Sequence, residues 1–347
     1  MDISKLKAPL FISWQLTRDC DLSCLHCCTE SAPNRPFPNE LNREEALRLA
    51  GDIVESGIPY VMLCGGEPLV SPHFFEIAEK LGRAGVQLKI ETNGQQFGRE
   101  EARRLAQLPI RSIQVSLDGD TSETYRSVRP NGSLEKAWLA CRAVRGAGLP
   151  LEVTFAPCRS NLHEAEAVIS RALELGAFRF NTGMLMRLGT AVKFWDRIVP
   201  SEEEYAGFFA LLERLERELA GRIELFFRPR SLDESLDLQL IQPPAALLVL
   251  PNGLVKVSGA LDFICADLRT QTISRAWGRY LSAVGSLKKF DPARLRFAGA
   301  AVNDLPPVPA AALGAGTAGA NAARTAAAEN DLPPGGSRAA DSVQETR

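Results

Sequence analysis

Between Phe11 and Asn181, short runs rich in β-branched residues alternate six times with amphipathic helical stretches. The strand-like runs are Phe11 to Leu16, Tyr60 to Leu63, Val86 to Ile90, Ile113 to Leu117, Leu151 to Ala156 and Phe178 to Asn181. Helical spacing fills the intervals at Arg43 to Ser56, His73 to Ala84, Glu100 to Gln107, Ser133 to Gly146 and Leu162 to Leu175, with Ser133 as a candidate N-cap. One strand and one helix recur about every 30 residues, which is the length of a βαβ unit. Such alternation predicts a parallel sheet with helices outside it. Six units fall short of the eight in a closed barrel, so the expected fold is α/β, a partial (β/α)6 TIM-like barrel. Chemistry is then expected in the loops that follow the strands.

The 347 residues are 45% hydrophobic and 24% charged, enough apolar side chain for a large core. A net charge of −2 argues against a nucleic-acid partner held through phosphates, which requires a basic face. No run of 18 or more apolar residues occurs, so no membrane helix is expected. The opening MDISKLKAPLFISWQ lacks a signal-peptide pattern, and a cytosolic location is expected.

Eight cysteines are present, and Cys20, Cys24, Cys27 and Cys28 crowd into nine residues directly after the first strand. In a large cytosolic chain such crowding predicts a metal or redox site rather than disulfides. Thiolates are soft ligands that favour an iron–sulfur cluster or zinc. Zinc sites usually draw ligand pairs from separate places, and no second C-x2-C or H-x3-H occurs, although Cys28 or His26 remains available as a fourth ligand. Cys64, Cys141, Cys158 and Cys265 stand singly; free cysteine is often just a small buried hydrophobe.

Cys20, Cys24 and Cys27, spaced C-x3-C-x2-C, resemble the signature loop of the radical S-adenosylmethionine (SAM) enzymes. The resemblance implies a [4Fe–4S] cluster on these three residues, with SAM on the fourth iron. It also implies reductive cleavage of SAM to a 5′-deoxyadenosyl radical that abstracts a substrate hydrogen. His26 takes the place of an aromatic side chain near the adenine, and Cys28 is expected to be a bystander. Gly65, Gly66, Glu67 and Pro68 follow the second strand; paired glycines allow close backbone approach to a ligand. They resemble the family's GGEP segment, which implies that this backbone and Glu67 bind the SAM amino group. Thr92 and Asn93 after the third strand, and Ser116 and Asp118 at the end of the fourth, resemble its T-N-G and S-L-D-G segments. Their implied place is the SAM and substrate pocket, with Ser116 on the ribose or carboxylate. Asn161 resembles the asparagine after the fifth strand. Met184 and Arg187, in the MLMRLG loop after the sixth, are implied to cover adenine and to face substrate. YRSVRPNG lies where the family often shows H-x3-R-G, with Tyr125 in place of the histidine, and the resemblance implies the cationic role for Arg129. As loop arginines, Arg126 and Arg129 are expected to be solvated, and His73 and His163 to be structural.

After residue 200 a charged helix, Ser201 to Leu219, leads to strands at Glu224 to Arg228 and Leu247 to Val257 and a helix at Ile273 to Ser286. Residues 243–277 resemble the SPASM or twitch extension of family members that mature peptides and cofactors. Cysteines implied near Gln242 and Ser258 are missing, leaving only Cys265, so no auxiliary cluster is expected. Three segments follow: 8–195 as the barrel, 200–295 as a degenerate extension, and 298–347 as a disordered Ala/Gly/Pro-rich tail.

The implied function is radical SAM chemistry in cofactor or peptide maturation. A reductase or a ferredoxin- or flavodoxin-type protein would donate electrons, and a peptide or small molecule would be the substrate. One rival is a radical SAM decarboxylase, dehydrogenase or epimerase of a sugar or nucleoside. Another, of a different class, is a non-catalytic zinc-stabilised scaffold.

Overall fold

A computed structural model describes residues 2–261 and 263–287. Six strands alternate with helices as expected: β1 Phe11–Gln15, α1 Arg43–Glu55, β2 Tyr60–Cys64, α2 Phe74–Arg83, β3 Gln87–Thr92, α3 Arg99–Leu105, β4 Ile110–Ser116, α4 Ser122–Val128, α5 Leu134–Gly146, β5 Leu151–Thr154, α6 Ala165–Glu174 and β6 Arg179–Gly183. The chain continues through α7 Thr190–Ile198, α8 Glu202–Glu218, β7 Glu224–Arg228, α9 Leu232–Ile241, β8 Ala246–Val249, β9 Leu254–Lys256, β10 Ile264–Asp267 and α10 Ile273–Leu287. Ser133 caps α5, its hydroxyl accepting from the Lys136 N–H.

Strands β1 to β6 are parallel and lie in sequence order. Alternate residues, among them Ile12, Trp14, Val61, Leu63, Leu88, Ile90, Ile113, Val115, Val153 and Phe180, belong to one continuous buried core. The opposite face of the same strands is polar, because side chains alternate along a strand. On it, Lys89 pairs with Glu152 at 2.9 Å, Asn181 donates to Glu152 and Gln114, and Gln114 donates to Glu91. Parallel strands covered on both faces are normally apolar throughout. A satisfied polar inner face instead prepares a surface that a polar ligand can meet.

The division at residue 200 is not a division of the sheet. Strand β7 pairs in parallel with β6, and β8 pairs in parallel with β1, with β9 and β10 continuing outward as antiparallel strands. An edge strand leaves N–H and C=O groups unpaired, so both edges of the six-stranded unit gain from this cover. Trp277 of α10 ties this region to the N-terminus by donating to the Leu6 carbonyl at 2.9 Å. Helices α4, α7 and α9 and strand β10 were not expected from the sequence. They are short, and α4 opens on a Thr121 cap rather than on an apolar stripe. The tail expected at 298–347 lies outside the described residues.

Candidate active site

The cysteine loop leaves β1 and packs directly on the backbone that follows β2. The Gly66 N–H donates to the Thr17 carbonyl at 2.7 Å, and the Glu67 N–H to the Asp19 carbonyl at 3.0 Å. A Cβ at Gly65 would lie 2.4 Å from the Thr17 oxygen, and one at Gly66 2.1 Å from the Asp19 oxygen. Gly65 also has φ +146, which side chains rarely tolerate. The glycines thus serve a close approach of chain to chain, next to the ligand approach expected from the sequence.

Cys20 and Cys24 are buried and Cys27 half-buried, and the three pack together around Leu22. Every one of the three sulfurs has a protein hydrogen-bond partner. Cys20 Sγ accepts from the Leu22 N–H at 3.4 Å and the Asn93 amide at 3.6 Å. Cys24 Sγ accepts from Arg129 Nη1 at 3.4 Å. Cys27 Sγ accepts from the Ser31 N–H and lies 3.3 Å from the Thr29 hydroxyl. Burial pushes the Cys20 thiol up to about 12 and the Cys24 thiol to about 11, so only a bound metal's charge would make them thiolates at neutral pH. Among the described residues no three His, Cys, Asp or Glu side chains converge on a single ion. A multi-iron cluster has no such requirement, because each thiolate meets a different iron. Soft sulfurs with N–H donors around them suit a cluster, whose potential such bonds tune.

Beside the loop, Glu67 is fully buried. Its carboxylate accepts from the Thr92 hydroxyl at 2.8 Å, the Asn93 N–H at 2.8 Å and the Leu69 N–H at 3.3 Å. Pro68 opens the short 3-10 turn Pro68–Val70. Its oxygens join the end of β2 to the end of β3, at the place where the sequence suggests a ligand for an ammonium. Asn93 extends the link, its amide also donating to Asp21 at 2.6 Å.

Burial, only partly offset by these donors, raises the Glu67 carboxyl from 4.5 to about 7. The folded state then holds its proton more tightly than the unfolded one, so stability falls as pH rises from about 4.5 through about 7. Burial acts oppositely on His26, lowering it from 6.5 to about 4, so stability also falls as pH drops below 6.5. The two effects largely offset in the parent protein and separate in Glu67→Gln. Relative to that variant, the parent is expected to lose about 3 kcal/mol between pH 4.5 and 7, following the 1.36 kcal/mol per pKa unit of linkage. Urea midpoints across that range measure it; parallel pH curves for the two proteins would refute it.

Asp118, just beyond β4, is the hub of the other flank. Its Oδ2 accepts from Arg129 Nε at 2.6 Å and lies 3.5 Å from His26 Nε2, while Oδ1 accepts from the Ala156 N–H at 2.7 Å. Asn161, also fully buried, donates to the carbonyls of Asp118 and Ala156. Arg129 is only 6% exposed, which overturns the expectation of a solvated arginine. The segment read as a loop forms α4 and turns Arg129 inward at its C-cap. The sequence does place a cation soon after S-L-D-G, but nothing local distinguishes a buried arginine from a surface one. Ser116 ends β4 half-buried, paired in register with Thr154.

Met184 and Arg187 lie beside the cysteine loop, in the segment after β6. They line a cavity of about 1270 Å³ with Trp195 and with Gln15, Thr17 and Cys28 at the cysteine loop. Residues after 200, among them Leu236 of α9 and Leu248 of β8, supply part of its wall. The Arg187 guanidinium lies 5.7 Å from the centre of the Trp195 ring. Cys28 is exposed and opens into this cavity, where desolvation by the surrounding walls pushes its thiol up to about 12. Cavity and cysteine loop meet at Gly189, where φ is +56 and a Cβ would lie 2.7 Å from the Cys27 oxygen. The Thr190 N–H donates to that same carbonyl at 2.8 Å. Cys141 and Cys265 are buried in the main core, and Cys158 is buried in a smaller cluster with Leu25 of the cysteine loop and Leu185.

The Radical SAM superfamily model matches residues 14–170. The AdoMet-dependent heme synthase of Methanosarcina barkeri is 31% identical over 203 residues, 58% of either chain. The mycofactocin maturase MftC of Mycobacterium tuberculosis is 29% identical over 232 residues, 66% of this chain and 58% of that protein. The chain therefore spans under two thirds of the length of these relatives. Among solved structures, Streptococcus suis SuiB bound to S-adenosylmethionine superposes with a TM-score of 0.67 at 15% identity, covering 82% of this chain and 69% of that one. The anSMEcpe structure with bound AdoMet gives 0.59 at 12% identity, covering 82% and 87%. Residues 14–170, with the cysteine loop at their start, are a radical SAM domain.

Proposed function

We propose that this protein is a radical SAM enzyme acting in cofactor or peptide maturation, with one [4Fe–4S] cluster held by Cys20, Cys24 and Cys27. The observation that carries the reading is the three sulfurs gathered in one packed group, each with its own polar partner. When bound, the cluster supplies the electron that cleaves SAM, and the resulting 5′-deoxyadenosyl radical takes a substrate hydrogen. The chain's own residues bind and orient. Ser116 and the outer rim of the Asp118 group face the place for SAM, and His26, neutral above about 4, presents its ring rather than a charge. Gly65, Gly66 and Glu67 hold the cysteine loop in place, and the same backbone and carboxylate are proposed to meet the SAM amino group.

The neighbouring cavity is taken as the substrate site. At about 1270 Å³ it exceeds the roughly 300–1,000 Å³ of small-molecule pockets, room that SAM and a peptide segment or cofactor precursor would share. Relatives named as a maturase and a heme synthase, and a structure of SuiB bound to precursor peptide SuiA, support the same size class. Absence of an auxiliary cluster belongs to this proposal. It is supported by Gln242 and Ser258 standing where cysteines are expected, and by Cys265, which donates to the Val255 carbonyl. A reductase, ferredoxin or flavodoxin is proposed as electron donor. A cytosolic site, where thiols stay reduced, suits eight free cysteines; no described helix is long and apolar enough to cross a membrane.

Anaerobic reconstitution tests the proposal. About four irons and four sulfides per chain are expected, in keeping with one cluster of the four-iron type, together with 5′-deoxyadenosine on reduction with SAM present. About one zinc without iron or sulfide would replace it with a closed structural site. About eight irons would overturn the single-cluster count.

A further inference from the structure

Arg129 is separated from Cys24 by 105 positions, yet its guanidinium lies within hydrogen-bond reach of that sulfur. Its placement is over-determined. The Arg129 N–H closes α4 on the Tyr125 carbonyl, and the Gly132 N–H donates back to the Arg129 carbonyl, both at 2.9 Å. Beneath it Tyr125 is fully buried, and a Cβ at Gly132 would strike the Tyr125 ring at 2.7 Å. The guanidinium is divided between two acceptors: Nε meets Asp118 at 2.6 Å and Nη1 meets Cys24 at 3.4 Å. Asp118 is held in turn by the Ala156 N–H and through Asn161. A solvated arginine would have none of this.

We propose that Arg129 is a positioning residue for the cluster sulfur of Cys24, fixing the thiolate and setting its electrostatic environment with a permanent positive charge that Asp118 partly offsets. The inference rests on the reading of Cys24 as a cluster ligand. Guanidinium does not lose its proton in proteins, so the charge is constant. Reduction adds one electron, from the external protein donor, to a cluster already negative. A cation and an N–H donor on a ligand sulfur stabilise the reduced form more than the oxidised one and raise the potential. A carboxylate beside that cation acts in the opposite sense. The two partners therefore predict shifts of opposite sign.

The test is a redox titration of anaerobically reconstituted full-length protein, followed by the cluster's visible absorbance and electron paramagnetic resonance, with iron counted in every sample. In Arg129→Gln the reduced-to-oxidised ratio at a fixed poise is expected to fall about tenfold, equivalent to about 59 mV for a one-electron couple. Asp118→Asn is expected to raise the ratio, and Arg129→Lys to keep it within about threefold of the parent by retaining a charge. Ratios unchanged in iron-loaded Arg129→Gln, or moved the same way by both charge-removing variants, would overturn the inference. If Arg129→Gln takes up no iron, the loaded Asp118→Asn protein decides, and a ratio that does not rise there overturns it equally. A parent that takes up no iron would instead refute the cluster reading, and this inference with it.

Discussion

Replacing Cys24 by alanine is expected to leave a folded protein that holds little iron or sulfide after anaerobic reconstitution and forms no measurable 5′-deoxyadenosine. Loss of a partner around a metal ligand typically costs about 10–100-fold in affinity, so loss of one of only three ligands should exceed about 100-fold. The fold should survive, because Cys24 belongs to a small satellite group with Cys20 and Leu22 and not to the main core. Cys28→Ala, at the next-but-three position on the same loop but opening into the cavity, should keep its iron. Cys141→Ala, buried against the helices, serves as the control for removing any thiol. Iron content by colorimetry and product by chromatography give the answer. SAM cleavage that survives in Cys24→Ala would refute the assignment of the loop.

The second large effect is expected from Gly66→Ala. The added methyl would sit 2.1 Å from the Asp19 oxygen and 2.7 Å from the Arg18 oxygen. Overpacking among side chains costs about 1–3 kcal/mol because rotamers can adjust. Here both sides of the clash are backbone, and hydrogen bonds from Gly66 to Thr17 and from Glu67 to Asp19 hold the two segments together. Relief requires lifting the cysteine loop, so a loss of at least about 3 kcal/mol is expected, with poor iron uptake. Gly146→Ala, at the end of α5 with nothing near its added methyl, should instead gain about 0.5–1 kcal/mol. Denaturant midpoints for the pair, with iron counts, measure both. A Gly66→Ala protein as stable as the parent would show that the loop can move freely.

The alternation of strands and helices was legible because it is local. Each β-branched run and each amphipathic stretch carries its own period, and the observed ends of β1, β2 and α5 lie within a residue of those expected. The cysteine loop was legible for the same reason: three soft ligands in eight residues state their chemistry without reference to the fold. Less of the site could be read. Gly65, Gly66 and Glu67 announced a special turn, yet which partner the turn approaches depends on where the β1 loop lies. Helices α4, α7 and α9 escaped because short elements carry too few periods to be distinguished from loops.

By itself the sequence determined the parallel α/β plan, the metal-ligand loop and the positions of chemistry after strands, all of them encoded by spacing over a few residues. Tertiary structure alone decided that Arg129 is buried against Cys24, and that Glu67 joins two loops. It alone placed strands β7 and β8 at opposite edges of one sheet and so built part of a cavity wall from residues after 200. These are contacts between residues far apart in the chain. Burial and hydrogen-bond partners there follow from chain packing, and no local pattern records them.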